Sequence, residues 1–398
     1  MRHTGRQATY MSGVSFQFQY GKADTAGAKR LFWAFALFLL LLSGLLTAAA
    51  GTAYAEGNDV YFEGVPLASG LIERDGIGYA LLSEIAEAEQ FTVERGADSP
   101  SFAFDWRLSR AVLNADSAEI TYLDEIRTLD APAILSADGA DLLVPVLSFC
   151  DAVEIGTWTD DEYGTLYCTA GAGDWELPGG YTVAVMMYHG TGHADPTANL
   201  MMPPESLEDQ LQYITENGYT TVCFEDLWNV ANIEKPVMLI FDDGWSNNYR
   251  NLYPLLQKYN CKATIAVVEN FTDEGSHQHM TSEEVRELSQ SGYVSIQSHT
   301  VTHCLLAEES AERQEYEMSE SKRFITRLTG KEPFALIYPT GSQNDTTLEL
   351  MTDYYRFGVK MVGNPWNTSD DPRLIYRFFP ENNTYIALYA QWLKSAFD

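Results

Sequence analysis

From Tyr181 to the C-terminus, apolar runs typical of β-strands alternate with amphipathic stretches typical of helices. Seven such runs occur, from VAVMMYH to FGVKMVG, and a further helix is expected around Trp392. Strands that alternate with helices predict a parallel sheet. Because no Gly-x-Gly-x-x-Gly segment opens the series, we favour an α/β fold of the (β/α)7 barrel type.

The polar residues of this region lie where the predicted strands end, which is where barrels of this kind carry their chemistry. One apolar strand ends in Asp242 and Asp243, and a later strand is followed by His299 and His303. Asp-Asp-Gly alone is more often a polar turn, and a lone His pair can be accidental. Two His and one Asp at strand ends are together the ligand set of an open, catalytic metal site.

A third predicted strand ends in the turn Tyr338-Pro339-Thr340-Gly341. Such a turn points backbone N–H groups towards the mouth of the barrel, where they can stabilise an oxyanion.

The order of FDDG, SHTVTH and YPTG resembles the polysaccharide deacetylases of the NodB-homology group, carbohydrate esterase family 4. The segment MYHG, followed by Gly218-Tyr219, is similar to the branch that includes poly-N-acetylglucosamine deacetylases. The resemblance implies a deformed, NodB-like barrel and a metal-dependent deacetylase. It also implies roles for five residues: a general base, Asp242; metal ligands, Asp243, His299 and His303; and an oxyanion N–H, Thr340.

The family commonly carries an acid His in a Leu-x-His motif near the C-terminus, and this chain has no His after His303. We therefore expect His189, at the end of the first barrel strand, to protonate the leaving amine, with His193 as second candidate. The alternative is that His189 is a structural residue that bonds a loop. Arg377 is expected to orient Asp242, and a surface position is the alternative.

Aromatic side chains near strand ends can stack on sugar rings, and we expect this of Trp245 and Tyr338. The alternative for each is core packing. The acidic helix from Glu308 to Glu320 is interpreted as a solvated outer face.

Residues 56–178 are predicted to form a small β-rich domain, and the Pro-Gly-Gly of WELPGGY marks the boundary with the barrel domain, 179–398. Two similar stretches, each an Asp-Gly turn followed by an apolar run, resemble the stalk domain named after the N-terminal region of copper amine oxidases. Because this part contains no His, it is predicted to act as a spacer without a metal.

Residues 1–55 are predicted to be a signal peptide or membrane anchor, because Lys29-Arg30 precedes an uncharged apolar run that ends in Ala53-Tyr54-Ala55. The rest of the chain is then extracytoplasmic, secreted or on a bacterial cell surface. With 25 basic and 56 acidic residues, the net charge of −31 argues against nucleic-acid partners. We expect contact with the membrane only through the N-terminal segment.

These features predict an exported N-deacetylase that releases acetate from N-acetylhexosamine residues of poly-N-acetylglucosamine, peptidoglycan or a chitin-like glycan of the cell envelope. The expected cofactor is a divalent metal, zinc by default, with cobalt or nickel as alternatives. Two other functions stay open: an O-acetyl polysaccharide esterase of the same fold, and a surface glycan-binding protein without turnover.

Overall fold

The computed structural model describes residues 59–398 except 97–99, 108, 171–172, 174, 194–199, 276, 364 and 383. The predicted signal peptide or anchor, residues 1–55, lies outside the described residues. Within the described part, no helix combines the length and apolar character needed to cross a bilayer.

The N-terminal half of the described chain is rich in short strands. Its elements are β1 (Val60–Phe62), β2 (Val65–Pro66), β3 (Ile72–Arg74), β4 (Ile77–Leu81), α1 (Leu82–Glu89), β5 (Val93–Arg95), β6 (Ser101–Trp106), β7 (Ser109–Asn114), β8 (Glu119–Tyr122), β9 (Glu125–Thr128), β10 (Ile134–Leu135), β11 (Leu142–Pro145), α2 (Val146–Ala152), β12 (Gly156–Thr159) and β13 (Leu166–Thr169).

The two similar stretches seen in the sequence form two similar units, each a hairpin followed by a short helix: β3–β4–α1 and β10–β11–α2. Each hairpin turns at a glycine with positive φ, Gly76 (φ +80°) and Gly139 (φ +69°), which a residue with a Cβ adopts only at a cost. Strands β4 and β11 pair in antiparallel fashion, so the two units share one sheet. Their apolar faces join the meander β5–β9 in a common core that contains Phe104 and Phe149.

The C-terminal half alternates strands and helices, as the sequence predicts. Its elements are β14 (Thr182–Tyr188), β15 (Gly190–Thr191), β16 (Met201–Met202), α3 (Pro204–Glu216), β17 (Thr220–Val222), β18 (Pro236–Phe241), α4 (Tyr253–Tyr259), β19 (Ala263–Val267), α5 (Ser282–Gln290), β20 (Val294–Ser298), α6 (Ala311–Thr329), β21 (Ala335–Ile337), α7 (Asp345–Leu350), β22 (Phe357–Val362), β23 (Trp366–Asn367), β24 (Ile375–Arg377) and α8 (Ile386–Phe397).

Seven parallel strands form the barrel wall, in the order β14, β18, β19, β20, β21, β22, β24. A parallel bridge between Met186 and Phe378 brings the last strand back to the first and nearly closes the ring. The predicted deformed barrel is therefore confirmed. One of the predicted strands is not part of this ring. The run TTVCF forms only the short β17, which pairs with the start of β18 before the chain enters a 3-10 helix at Phe224.

The β-rich half packs directly on α6 of the barrel half. Arg327 on α6 donates Nη2 to Asp160 Oδ1 at 2.9 Å and to Glu162 Oε2 at 2.8 Å, and its Nε also contacts Asp160. Just beyond α6, the Glu332 N–H donates to Thr169 Oγ1 at 2.9 Å. Because the Asp160 side chain is only 1% exposed, its charge depends on Arg327 for compensation.

We expect Arg327→Ala to lower the free energy of unfolding by about 2–3 kcal/mol, because it leaves the buried Asp160 carboxylate without its cation. The matched control is Arg323→Ala on the same helix, whose partner is the more exposed Glu320 and whose effect should stay within about 0.5 kcal/mol. Chemical denaturation of both variants measures the difference, and equal effects would contradict the role given to the Arg327 contact.

A small cavity lies where the β-rich half meets the barrel, lined by Glu225, Ser289 and Lys331 among others. Burial, with the nearby Asp226 charge, raises the pKa of Glu225 to about 7. Because the folded-state pKa exceeds the usual value of 4.5, the folded state binds a proton that the unfolded state releases. The stability that depends on protonated Glu225 is fully present below pH 4.5 and is lost as the pH rises through 7.

Glu225→Gln should therefore flatten the pH dependence of stability. Between pH 5 and 8 the wild type is expected to lose up to about 3 kcal/mol relative to this variant. Denaturation midpoints at several pH values test this, with the exposed Glu234→Gln as control; parallel curves for wild type and Glu225→Gln would refute it.

Candidate metal centre

The two adjacent carboxylates after β18 point in different directions because the backbone turns sharply there. Asp243 has φ +72° and Gly244 has φ +71°, so two consecutive residues lie in the left-handed region. At Gly244 an added Cβ would also come within 3.3 Å of Val267, which favours glycine on both counts. Asp242 and Asp243 consequently meet different partners.

Asp243 lies against the two histidines that follow β20. Its Oδ1 is 3.5 Å from His299 Nε2 and 3.4 Å from His303 Nε2. The ligand atoms of all three residues lie within 4.8 Å of one another. The structure thus brings together the three residues proposed as metal ligands, from the ends of β18 and β20.

The environment of these side chains fixes which nitrogen of His299 is available. Its Nδ1 is 2.7 Å from the Ile337 carbonyl at the end of β21, which requires a hydrogen on Nδ1 and leaves the Nε2 lone pair facing Asp243. Burial alone would lower the pKa of His299, but the Asp243 contact, the charges of Asp242 and Asp243 and the bond to the Ile337 carbonyl together raise it. Burial would raise the pKa of Asp243, yet its contacts with the rings of His299 and His303 hold that pKa well below its usual range.

This donor set fits a divalent metal. Two imidazole Nε2 atoms and one carboxylate oxygen converge from the segments that follow β18 and β20, and the Ile337 carbonyl supplies the supporting contact typical of metal-binding histidines.

Asp242 is buried and paired with Arg377, which is itself fully buried. The guanidinium donates Nη1 to Oδ1 at 2.7 Å and Nη2 to Oδ2 at 3.0 Å, and its Nε donates to the Lys360 carbonyl at 2.8 Å. Arg377 is therefore a buried partner of Asp242, and the two-point contact fixes the plane of the carboxylate.

His189 follows β14 and joins the same cluster. Burial lowers its pKa, and the charges of Asp242 and Asp243 act in the opposite direction, which places the ring within their field. Its Nδ1 is buried and has no hydrogen-bond partner among the described residues, while its carbonyl accepts a bond from Asn248 at 2.8 Å. His193, the second candidate acid, lies on the surface 3.5 Å from Glu205.

Trp245 contacts the proposed metal ligand directly. Its indole Nε1 donates to Asp243 Oδ2 at 3.0 Å, so the oxygen that faces the histidines is the other one, Oδ1. Its ring lies 4.7 Å from the His279 ring, and the two residues form a short antiparallel bridge. Sequence reasoning missed this contact, although a tryptophan two residues from a carboxylate across a tight turn is a usable signal.

The turn Tyr338-Pro339-Thr340-Gly341 follows β21. Thr340 is exposed at the end of β21, with φ +55°. Tyr338 was expected to stack on a sugar, and that prediction is wrong: its side chain is fully buried, and its hydroxyl donates to the Arg373 carbonyl at 3.0 Å. The aromatic ring fills the core between β21 and α7 with Leu336 and Met351.

The acidic helix is also more than a solvated face. Glu317 on α6 is fully buried and bonds the loop that carries both histidines. The sequence held a signal for it, because Glu317 shares the helix face of Gln314, Met318 and Ser321, all buried.

Comparison with known proteins agrees with this geometry. Residues 229–358 match the family model described as polysaccharide deacetylase. The matched range contains Asp242, Asp243, His299 and His303, whereas His189 and Arg377 lie outside it.

Among relatives, YxkH of Bacillus subtilis, assigned to the polysaccharide deacetylases, is 31% identical over 181 residues, 44% of this chain and 63% of YxkH. The peptidoglycan-N-acetylglucosamine deacetylase of Bacillus cereus is 27% identical over 39% of this chain and 65% of its own length. The poly-β-1,6-N-acetyl-D-glucosamine N-deacetylase of Escherichia coli K12 is 26% identical over 30% of this chain and 20% of its own length. The chain thus spans less than two thirds of each of these relatives.

Among solved structures, the Streptococcus pyogenes deacetylase PplD, determined with acetate, superposes with a TM-score of 0.51 at 28% identity. The match covers 54% of this chain and 98% of PplD. The similar part of this chain is therefore about the length of one barrel domain.

We expect Arg377→Met to lower the free energy of unfolding by about 3–5 kcal/mol, because it strands the buried Asp242 carboxylate. The double variant Asp242→Asn/Arg377→Met should recover part of that loss, since no uncompensated charge remains. Denaturation of both variants and of Asp242→Asn gives the coupling energy; a coupling near zero would show that the pair does not stabilise the barrel.

Proposed function

We propose, on the premise that this chain belongs through its barrel to the polysaccharide deacetylase family, that it is an exported, metal-dependent N-deacetylase of N-acetylhexosamine glycans. The observation that carries the proposal is the convergence of Asp243, His299 and His303 beside the buried pair of Asp242 and Arg377. A glycan-binding protein has no need of such a pair next to a metal-binding triad.

Asp243, His299 and His303 would hold the metal, and zinc is the ion that this donor set favours, with cobalt or nickel as substitutes. A divalent cation bound there would polarise the acetamide carbonyl and acidify a water molecule. The remaining groups of the site belong to the chain itself.

Asp242 is proposed as the general base. Its carboxylate accepts from Arg377 at both oxygens, and a second lone pair on each oxygen stays available for a proton from the attacking water. The paired guanidinium holds the carboxylate plane in place, so the base is oriented before the substrate arrives.

His189 is proposed as the general acid that protonates the leaving amine. It directly follows β14, the strand that pairs with β18, in the field of Asp242 and Asp243, and its buried Nδ1 has no partner among the described residues. Burial lowers the pKa of the ring while the two carboxylates act in the opposite direction, and the proposed acid must carry a proton before the tetrahedral intermediate collapses. The Thr340 N–H, at the end of β21, is proposed to stabilise the oxyanion.

The proposed substrate is an N-acetylated polysaccharide of the cell envelope. Relatives named as deacetylases of peptidoglycan and of poly-β-1,6-N-acetyl-D-glucosamine support it, as does the acetate in the PplD structure. The apolar, Lys29-Arg30-flanked segment near the N-terminus supports export of the enzyme to that compartment.

The test is acetate release from poly-N-acetylglucosamine oligomers, peptidoglycan and acetylated xylan by metal-stripped and zinc-restored protein. We expect release from an amide glycan only with zinc, and a 10²–10⁴-fold lower kcat in Asp242→Asn, roughly the contribution of a general base. The exposed Asp209→Asn is the matched control and should retain full activity.

Release from acetylated xylan alone would instead identify an O-acetyl esterase. Binding of a glycan by folded, zinc-loaded protein without any acetate release would reject the catalytic proposal and identify a binding protein.

A further inference from the structure

The loop between the two histidines has a demanding backbone. Thr300 has φ +70° and His303 has φ +59°, and neither is a glycine. Residues with a Cβ seldom occupy this region, and they stay there only when surrounding contacts hold them. The loop therefore needs support from outside its own sequence.

Helix α6 supplies that support chiefly through Glu317, and its Arg313 also donates to the Thr302 hydroxyl at 3.3 Å. Its Oε2 accepts the backbone N–H groups of Val301 at 2.8 Å and Thr302 at 2.9 Å, and its Oε1 accepts the Thr302 hydroxyl at 2.6 Å. Arg313, one turn earlier on the helix, also donates to Oε1. The carboxylate is fully buried, so these bonds are not exchanged with water.

A carboxylate suits this position for a chemical reason. It offers two oxygens that accept several bonds and carries no hydrogen, whereas the amide of glutamine accepts at only one of its two atoms. All the loop atoms that face Glu317 are donors. A glutamine would have to turn its NH₂ group towards a donor on one side.

The two histidines depend on this anchor to different degrees. His299 is buried and is also held by the Ile337 carbonyl. The His303 side chain is 30% exposed, and within the described part of the chain its imidazole has the Asp243 contact and ring contacts with His299 and Phe271. The position of His303 therefore rests mainly on the loop backbone, which Glu317 holds.

We infer that Glu317 is a positioning residue that sets the place of His303, and with it the affinity and coordination of the metal. The inference rests on the proposed function, because it takes Asp243, His299 and His303 as the metal ligands. Glu317 itself touches neither metal ligand nor substrate; it acts through Val301 and Thr302.

The experiment measures zinc affinity of the full chain by competition with a chromogenic chelator, and the visible absorption spectrum of the cobalt-substituted protein. For Glu317→Gln we expect zinc affinity to fall by about 10–100-fold, as for other residues that orient metal ligands, with a changed cobalt spectrum. Excess zinc should restore most of the kcat and leave the KM for the glycan unchanged.

The matched control is Met318→Ala, at the next position of the same helix. Met318 is fully buried in an apolar cluster, and the N–H groups of Val301 and Thr302 donate to Glu317 rather than to it. The substitution should lower thermal stability while zinc affinity and the cobalt spectrum stay as in the wild type. A purely structural role of Glu317 would make the two variants alike.

Variants on the loop side keep the inference testable if Glu317→Gln does not fold. Thr302→Val removes one of the three loop donors to Glu317, and Thr302→Ser keeps it. We expect a smaller loss of zinc affinity in Thr302→Val, in the same direction, and rescue of wild-type affinity in Thr302→Ser.

Two results would overturn the inference in distinguishable ways. If wild-type protein binds zinc and both Glu317→Gln and Thr302→Val bind it equally well with unchanged cobalt spectra, Glu317 does not position the ligands. If the wild type binds no zinc, the proposed function fails together with the inference.

Discussion

The rest of the site depends on one buried ion pair, the Asp242 carboxylate and the Arg377 guanidinium. Asp242 is almost fully buried, and in that setting an unpaired charge is far less stable than in water. Arg377 meets it at two points from β24, a strand separated from β18 in the ring by β14. The pair thus joins strands that share no ladder, and it ties closure of the barrel to the orientation of the proposed base.

The neighbouring carboxylate shows how a short turn separates two functions. Left-handed conformations at Asp243 and Gly244 send Asp243 to His299 and His303 while Asp242 faces Arg377. Two adjacent carboxylates would otherwise repel each other. Distinct partners stabilise each carboxylate separately, which is the arrangement that a base beside a metal site requires.

The sequence predicted the features that depend on where strands end, and it failed for two residues whose role depends on the direction of the side chain. Parallel strands share one carboxyl edge, so Asp243, His299 and His303 were expected together, and the alternation of strands and helices sufficed for the barrel. Tyr338 follows a strand in the same way, yet its ring turns inwards to the Arg373 carbonyl. Glu317 lies in a strongly acidic stretch that predicts a solvent-exposed helix, although the helix face that carries Glu317 is buried. Composition alone predicts neither side-chain direction. The Tyr338 hydroxyl bonds a carbonyl 35 residues further along the chain, and the periodicity of α6, not its acidity, marks the buried face of Glu317.

The ring closes at the bridge between Met186, on its first strand, and Phe378, just after its last strand. His189 lies just after the first strand of the ring and Arg377 on the last, nearly two hundred residues apart in the chain. Contacts of such long sequence separation form late in folding. A growing or partly folded chain can gather the three proposed metal ligands, which follow β18 and β20, but Asp242 meets Arg377 only after the final strand docks. Completion of the barrel and completion of the proposed catalytic group are therefore expected to be the same event.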